Sequence, residues 1–187
     1  MLKIKSGLKL ALVVLLFCAA ADRLKLVKIK VNDVITVYIP REWRPMDELD
    51  VVQRYPSVRA PIAAYTNEER SADFSVNVSA TQWPDHDVLI AQKFFKAGLM
   101  NMFDRVEMID EGIREDHGKN FIYFEFESRI NGNRRAEGLA DPVLRYTYIQ
   151  YLLESERALV FSFSCARRER ENYQETAREM MQKLRVK

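Results

Sequence analysis

The sequence predicts an α+β domain with a mostly antiparallel sheet that is covered by helices on both faces, an α/β/α sandwich. Several runs alternate apolar and polar residues with a period of two, the mark of a strand with one face in a core. Two longer runs carry apolar residues at spacings of three and four, as amphipathic helices do. A further run, Leu144–Leu153, is apolar on both faces, which indicates an interior strand that is covered on both sides.

Residues 1–21 have the pattern of an export signal. Three lysines precede Leu10–Ala21, an uncharged run of 12 residues. As a helix this run spans roughly 18 Å, short of the ~30 Å hydrocarbon core of a membrane. It ends in Ala19-Ala20-Ala21, small residues that signal peptidase accepts. We predict a signal peptide over 1–21 and one domain over 22–187. Two alternatives stay open, a retained N-terminal anchor and a lipoprotein acylated at Cys18.

The remaining chain is nearly neutral, since 26 Lys and Arg oppose 27 Asp and Glu once residues 1–21 are set aside. A neutral body lacks the basic footprint of a nucleic-acid-binding protein. Cys165 would then be the only cysteine left, so no intramolecular disulfide is expected. It ends the core face of a strand, which predicts a small buried side chain rather than a reactive thiol.

The first elements are strands. Leu24–Val31 and Val34–Ile39 flank Asn32-Asp33, a pattern typical of a hairpin with a tight two-residue turn. Trp43 follows and is expected to cover an edge of the core. Met46–Ala60 shows no clean period and is predicted to be irregular.

A second hairpin and the first long helix come next. Ile62–Thr66 and Ala72–Ala80 are predicted strands. The helix is predicted over Val88–Phe103, with Asp85 or Asp87 as its N-cap residue.

The second half is predicted to hold four strands and a closing helix. Their bounds are Val106–Ile113, Phe121–Ser128, Leu144–Leu153, Leu159–Cys165 and Glu169–Leu184. Between the second and third of these strands lies Arg129–Val143, a long polar loop with an Asn-Gly turn signal.

No standard catalytic signature is present, neither a G-x-S-x-G elbow nor a P-loop, an H-E-x-x-H or a C-x-x-C. We therefore expect no enzyme, no catalytic or metal-binding residue and no cofactor. Four residues are candidates for contact with a partner. Arg134 and Arg135 lie together in the polar loop, where paired cations suit an anionic group. Trp83 and His86 precede the first long helix.

Two enzymatic or metal-binding interpretations compete with simpler ones. Glu125 and Glu127 share the outward face of a strand about 7 Å apart, a spacing at which carboxylates act in glycoside hydrolysis. Alternating Glu on a solvated strand face explains them better, so an unrecognised hydrolase is a minor alternative. His86 and His117 could form a metal site only if the fold brings them together.

The order of the elements resembles the PsbP/Mog-type α/β/α sandwich. The resemblance rests on the strand-Pro-x-x-Trp run Val37–Trp43, on the strand Phe74–Ala80 before a long helix, and on the closing strands. Those closing runs are Tyr123–Phe126, Tyr148–Leu153 and Val160–Ser164, followed by the last helix. The resemblance covers nearly the whole mature chain.

This resemblance implies a non-enzymatic binding or accessory role in the bacterial cell envelope. The family includes a Ran-binding nuclear factor, with which an export signal is incompatible, and no metal or chloride site of its photosynthetic branch carries over. We expect an exported protein of the periplasm or envelope that is monomeric on its own and contacts another envelope protein. Retention of residues 1–21 would instead make it a membrane-anchored accessory subunit of a membrane complex.

Overall fold

The structure, a computed structural model, describes residues 24–55, 59–131 and 141–187. The predicted signal peptide and the middle of the predicted polar loop lie outside these ranges. The strands are β1 (Leu26–Lys30), β2 (Ile35–Pro40), β3 (Arg44–Pro45), β4 (Ala63–Thr66), β5 (Ala72–Gln82), β6 (Arg105–Asp116), β7 (Lys119–Ile130), β8 (Val143–Glu154), β9 (Arg157–Ala166) and β10 (Arg185–Val186). The helices are α1 (Glu48–Arg54), α2 (Val88–Met102) and α3 (Arg170–Lys183).

Seven strands form the main sheet, in the order β3-β4-β5-β9-β8-β7-β6. All of its neighbouring strands are antiparallel, so the predicted antiparallel class is confirmed. Strand β8 lies between β9 and β7, with Tyr148 opposite Phe163 on one side and Glu125 on the other. Its apolar character on both faces is explained by this interior position.

A smaller sheet has the order β1-β2-β10. The expected two-residue turn between its first strands is wrong, because the last paired residues are Lys30 and Thr36. The intervening loop is held by the Asn32 side chain, whose Oδ1 accepts hydrogen bonds from the backbone N–H groups of Val34 and Ile35 at 2.9 and 2.7 Å. Strand β10, which was not predicted from the sequence, closes this sheet beside β2.

The apolar residues form two clusters, and strand β8 contributes to both. Its residues Tyr146, Tyr148 and Leu152 belong to the first cluster, with Phe163 of β9, Met180 of α3 and the inner residues of β2. Its residue Tyr151 belongs to the second, with Phe95 of α2 stacked on it at 4.1 Å between ring centroids. The alternation read from the sequence therefore assigns side chains to the correct clusters.

Trp43 was expected at an edge of the core, and this is confirmed. The ring is buried and stacks on Phe163, with 5.9 Å between centroids. Tyr173 of α3 meets the same indole edge-on at 6.1 Å. Trp43 thus joins the main sheet to the closing helix.

The prediction of irregular structure over Met46–Ala60 is wrong, because α1 lies within it. Asp47 is its N-cap residue, and its Oδ1 accepts a hydrogen bond from the backbone N–H of Asp50 at 2.8 Å. The helix was missed because Leu49 and Val52 are exposed rather than turned to the core, which breaks the expected apolar period. No helix within the described ranges is long and apolar enough to cross a membrane.

Asp87, one of the two residues predicted as the N-cap of α2, does occupy that position. Its side chain, however, makes no capping hydrogen bond. Asp85 instead accepts hydrogen bonds from the backbone N–H groups of Ser155 and Glu156, both at 3.2 Å. These two residues form the β8–β9 turn with φ of 55° and 60°, so Asp85 stabilises a turn in the left-handed region.

Candidate binding cleft

A cleft of about 510 Å³ opens between the C-terminal ends of α1 and α2, with the main sheet as its floor. We call it the Asp73 cleft. It is larger than the cavities of about 260 and 290 Å³ that lie beside Glu127 and Glu125. Its volume falls within the ~300–1,000 Å³ typical of small-molecule sites.

One wall of the Asp73 cleft is apolar. It is formed by the end of α2 and the neighbouring part of the sheet, by Leu99, Met102, Phe103, Phe126, Ile149 and Tyr151. Leu99 is buried against the second core cluster, whereas Met102 is 68% exposed. The wall is thus a part of the core surface that α2 does not fully cover.

The floor of the cleft is polar because of the alternation in β9. Phe161, Phe163 and Cys165 point into the first core cluster, so Ser162 and Ser164 face the cleft between them. Thr147 of β8 lies beside Ser164, with 3.2 Å between the hydroxyl oxygens. Ser128, Tyr55 and Tyr151 supply the other hydroxyl groups of the described lining.

Asp73 of β5 organises the charged end of the cleft. Its Oδ2 accepts hydrogen bonds from Arg54 Nη1 at 3.1 Å and from Arg145 Nη2 at 2.8 Å, and its Oδ1 accepts one from the Tyr55 hydroxyl at 3.0 Å. Arg145 comes from β8 and reaches across β9, where its Nε donates to Ser164 Oγ at 2.7 Å. Side chains from α1, from Tyr55 directly after it and from β8 therefore meet at the one buried carboxylate that β5 supplies.

Two further observations describe the electrostatics of this end. Burial, and then the neighbouring Asp73 carboxylate, raise the pKa of Tyr55 above its ordinary value near 10, so the phenol remains a hydrogen-bond donor. Arg70 also lines the cleft and lies 3.4 and 3.5 Å from the carboxylates of Asp50 and Asp47 in α1. The positive charge of Arg70 is therefore neutralised by carboxylates that do not line the cleft.

The side chains of the cleft supply hydrogen-bond donors and an apolar surface. Asp73, the only carboxylate among the described lining residues, is already bound to Arg54, Arg145 and Tyr55. The described part of the chain holds no group of three His, Cys, Asp or Glu placed to hold a metal ion. The arrangement suits reversible binding of a molecule with a polar and an apolar part.

Trp83 and His86, two of the four residues predicted to contact a partner, do not line this cleft. Trp83 is 9% exposed and packs on Phe94 and Phe95 at 5.1 and 5.3 Å between centroids. The His86 side chain is 85% exposed, with Nε2 3.6 Å from Asp87 Oδ1. Arg134 and Arg135 lie outside the described residues. All four remain predictions as partner contacts.

The expectation that Glu125 lies on a solvated strand face is wrong. Glu125 is 1% exposed, and Arg178 of α3 donates to both of its carboxylate oxygens. Tyr146 and Gln174 also donate to it. The outward face of β7 is covered by α3, whose polar side chains satisfy the buried charge; Glu127 is likewise paired, with Arg170 at 2.9 Å.

Cys165 is a buried free thiol, as expected. Burial, and then the nearby Glu169 carboxylate, raise its pKa to about 12. A thiol with such a pKa is almost entirely protonated at neutral pH and is a poor nucleophile. Arg145 lowers the pKa only in part, so the nearby cations do not activate it.

Sequence reasoning missed the three residues at the charged end of the cleft. Arg54 was hidden in the stretch expected to be irregular, although Asp47 with Asp50 three residues later is a usable N-terminal signal for a short helix. Asp73 and Arg145 belong to strands that were predicted, but they meet only through the order β5-β9-β8. Nothing local in the sequence indicates that pairing.

Comparison with protein-family models found no match. Comparison with curated protein sequences found none either. Among solved structures, the solution structure of cyanobacterial PsbP from Synechocystis matches with a TM-score of 0.59 and 14% identity, over 91% of this chain and 97% of that chain.

Two further solved structures are similar. LpqN of Mycobacterium tuberculosis, described as involved in cell envelope biogenesis, has a TM-score of 0.57 and 13% identity, over 87% of this chain and 90% of that one. The Ran-binding protein Mog1p of Saccharomyces cerevisiae has a TM-score of 0.53 and 14% identity, over 87% and 96%. Identities this low establish a shared fold alone. The described domain has a PsbP/Mog-type fold.

Proposed function

We propose that this chain is a non-enzymatic binding or accessory protein of the bacterial cell envelope and that the Asp73 cleft is its binding site. The observation that carries the proposal is the meeting of an apolar wall with a fixed charged end in one open cleft. Most of the residues that line the cleft belong to strands of the main sheet, and these strands hold Asp73 and Arg145 in place. A binding site built on rigid elements needs little reordering when a ligand arrives.

The location in the envelope is supported by two independent features. Residues 1–21 have the charge and length pattern of an export signal. LpqN, which shares the fold, is described as involved in cell envelope biogenesis. In this proposal the chain is monomeric on its own and serves another envelope protein, to which it presents or from which it receives the ligand of the cleft.

We also infer that the domain is an α/β/α sandwich. The two apolar clusters support this, because Tyr146 and Tyr151 of β8 point to opposite faces of the sheet and belong to different clusters. Helix α3 contributes to the first cluster and α2 to the second. The Asp73 cleft is then a gap in the layer that contains α2.

A membrane-anchored accessory subunit is the second candidate, since Leu10–Ala21 is apolar throughout. It differs from the first only in the fate of residues 1–21. A hydrolase that uses Glu125 and Glu127 receives no support, because Arg178 and Arg170 already bind these carboxylates.

Site-specific photo-crosslinking in a bacterial host tests the proposed binding site. A photoreactive residue replaces Met102 in the wall of the cleft, or Leu89 at the other end of α2 as the control, since the two are 68% and 67% exposed. We expect an adduct of defined mass in the envelope fraction from position 102 and not from position 89. Equal labelling at both positions, or none at position 102, would overturn the proposal.

A further inference from the structure

The arginine pair Arg54 and Arg145 converges on a single carboxylate oxygen. Arg54 Nη1 and Arg145 Nη2 lie 3.1 and 2.8 Å from Asp73 Oδ2. One carboxylate neutralises one guanidinium, so the arginine pair holds two positive charges against the one negative charge of Asp73, while the neighbouring Arg70 faces Asp47 and Asp50 of α1. Like charges held this close in a partly buried site favour the arrival of another anion.

The arginine pair also has N–H donors that no described residue uses. Each guanidinium carries five N–H groups, and among the described residues Arg145 donates only through Nε and Nη2, to Ser164 and Asp73. Arg54 donates through Nη1 and Nη2, to Asp73 and to the backbone carbonyl of Arg70. Asp73 holds both groups in fixed positions, which favours bidentate recognition of a carboxylate or phosphate.

The apolar wall lies in the same cleft as the arginine pair. At the end of α2, the wall is formed by the last helical residue, Met102, and by the ring of the next residue, Phe103. On β8, Ile149 and Tyr151 come two and four residues after Thr147 and therefore lie on the same face of the strand. The lining thus changes along β8 from charged at Arg145, through the hydroxyl of Thr147, to apolar at Ile149 and Tyr151. A ligand that fills the cleft must match this order, with an anionic head and an apolar tail.

We propose that the Asp73 cleft binds a small amphiphile with one acidic head group, a carboxylate or a phosphate, which the arginine pair holds while the tail lies on the apolar wall. This deepens the proposed function and rests on it. The acidic head group of the ligand neutralises the positive charge of the arginine pair that Asp73 does not neutralise.

Calorimetric titration of the full chain with four single-chain probes tests the head group. The probes are laurate, dodecyl phosphate, dodecanol and dodecyltrimethylammonium, each kept below the concentration at which it forms micelles. We expect laurate and dodecyl phosphate to bind at least about tenfold more tightly than the other two, the difference that one charged hydrogen bond supplies. Inorganic phosphate, which lacks a tail, should also bind more weakly than dodecyl phosphate. Equal binding of dodecanol and laurate would overturn the proposal.

Two matched pairs of variants test the residues. Arg145→Gln should weaken laurate binding about tenfold or more, whereas Arg157→Gln, at an exposed position of β9, should leave it unchanged. Asp73 keeps Arg54 and Tyr55 as partners in the first variant, which favours retention of the fold. Met102→Glu should likewise weaken laurate binding relative to Leu89→Glu, and both positions are exposed enough to tolerate the change.

The outcomes separate this inference from the proposed function. Laurate binding that survives both Arg145→Gln and Met102→Glu would place the amphiphile elsewhere and overturn the inference. A crosslinked molecule at position 102 that carries no acidic group would overturn it too, while the cleft would remain a binding site. Absence of any crosslink at position 102 would instead count against the proposed function itself.

Discussion

Glu125 and Arg178 form an ion pair through two hydrogen bonds between β7 and α3. Arg178 Nε lies 3.0 Å from Glu125 Oε2, and Nη2 lies 3.1 Å from Oε1. The carboxylate is 1% exposed, and the hydrogen bonds to it raise the pKa of Arg178 further above its ordinary value. A buried charge of this kind requires a partner, so the pair holds α3 on the sheet together with the buried apolar residues Ala177, Met180 and Met181 of the same helix.

Replacement of Arg178 should destabilise the domain strongly. Arg178→Met leaves the Glu125 carboxylate buried without its cation, and we expect the free energy of unfolding to fall by about 3–5 kcal/mol. Urea denaturation followed by circular dichroism measures this. The double variant with Glu125→Gln should recover part of the loss.

The control for this prediction is Lys183→Met. Lys183 pairs with Glu179 on the exposed side of the same helix, and such a pair contributes about 1 kcal/mol or less. Equal losses for the Arg178 and Lys183 variants would show that the buried pair has no special weight.

Stability should fall at alkaline pH. Burial raises the pKa of Tyr148 from 10 to about 12 and, with Glu169, that of Cys165 from 9 to about 12. Between pH 9 and 12 the unfolded chain loses these protons while the native state keeps them. The native state then binds more protons, so the free energy of unfolding decreases as pH rises, by about 1.4 kcal/mol per pH unit for each group.

Denaturant midpoints at pH 8 and pH 11 measure the alkaline effect. Tyr55, Tyr146 and Tyr151 have raised pKa values as well, so the midpoint at pH 11 should be clearly lower. A midpoint that stays constant over this range would contradict the assignment of these groups as buried acids.

The β8–β9 turn should be open to stabilisation. Ser155 and Glu156 adopt φ of 55° and 60°, a region that Asn and Gly occupy with less strain in two-residue hairpins. The double change Ser155→Asn with Glu156→Gly should raise the free energy of unfolding by about 1 kcal/mol or more. Thermal unfolding measures it, and the backbone hydrogen bonds to Asp85 are retained.

The β6–β7 turn supplies the opposite test. Gly118 has φ of 73°, and a Cβ added there would meet no described residue beyond its chain neighbours within 4 Å, so Gly118→Ala acts on the backbone alone. We expect a loss of about 1 kcal/mol in the free energy of unfolding. If neither turn responds, positive φ is not a source of strain in this domain.

The intact mass of the native protein tests the N-terminal prediction. We expect a mature chain that begins at Asp22, because residues 1–21 have the pattern of a cleaved signal. Retention of residues 1–21 would favour the membrane-anchored alternative. A chain that begins at Cys18 with added acyl mass would identify a lipoprotein.

The strands and long helices could be predicted because their signals are local. A period of two along β7 and β9 and spacings of three and four along α2 and α3 come from side chains that face a common core. The burial of Cys165 follows from the alternation along β9, and that of Trp43 was expected from its large aromatic side chain. Helix α1 was not predicted because its apolar residues Leu49 and Val52 face solvent.

By itself, the sequence determined the class of the fold, the interior position of β8 and the absence of a standard catalytic motif. Only the tertiary structure decided which polar residues are buried and which of them meet. Glu125 looks like a solvated strand residue until α3 covers it, and Asp73 and Arg145 lie 72 residues apart in the chain. The reason is physical. Hydrophobic periodicity shows only which side of a strand or helix faces a core, whereas an ion pair between strands depends on the order of those strands in the sheet.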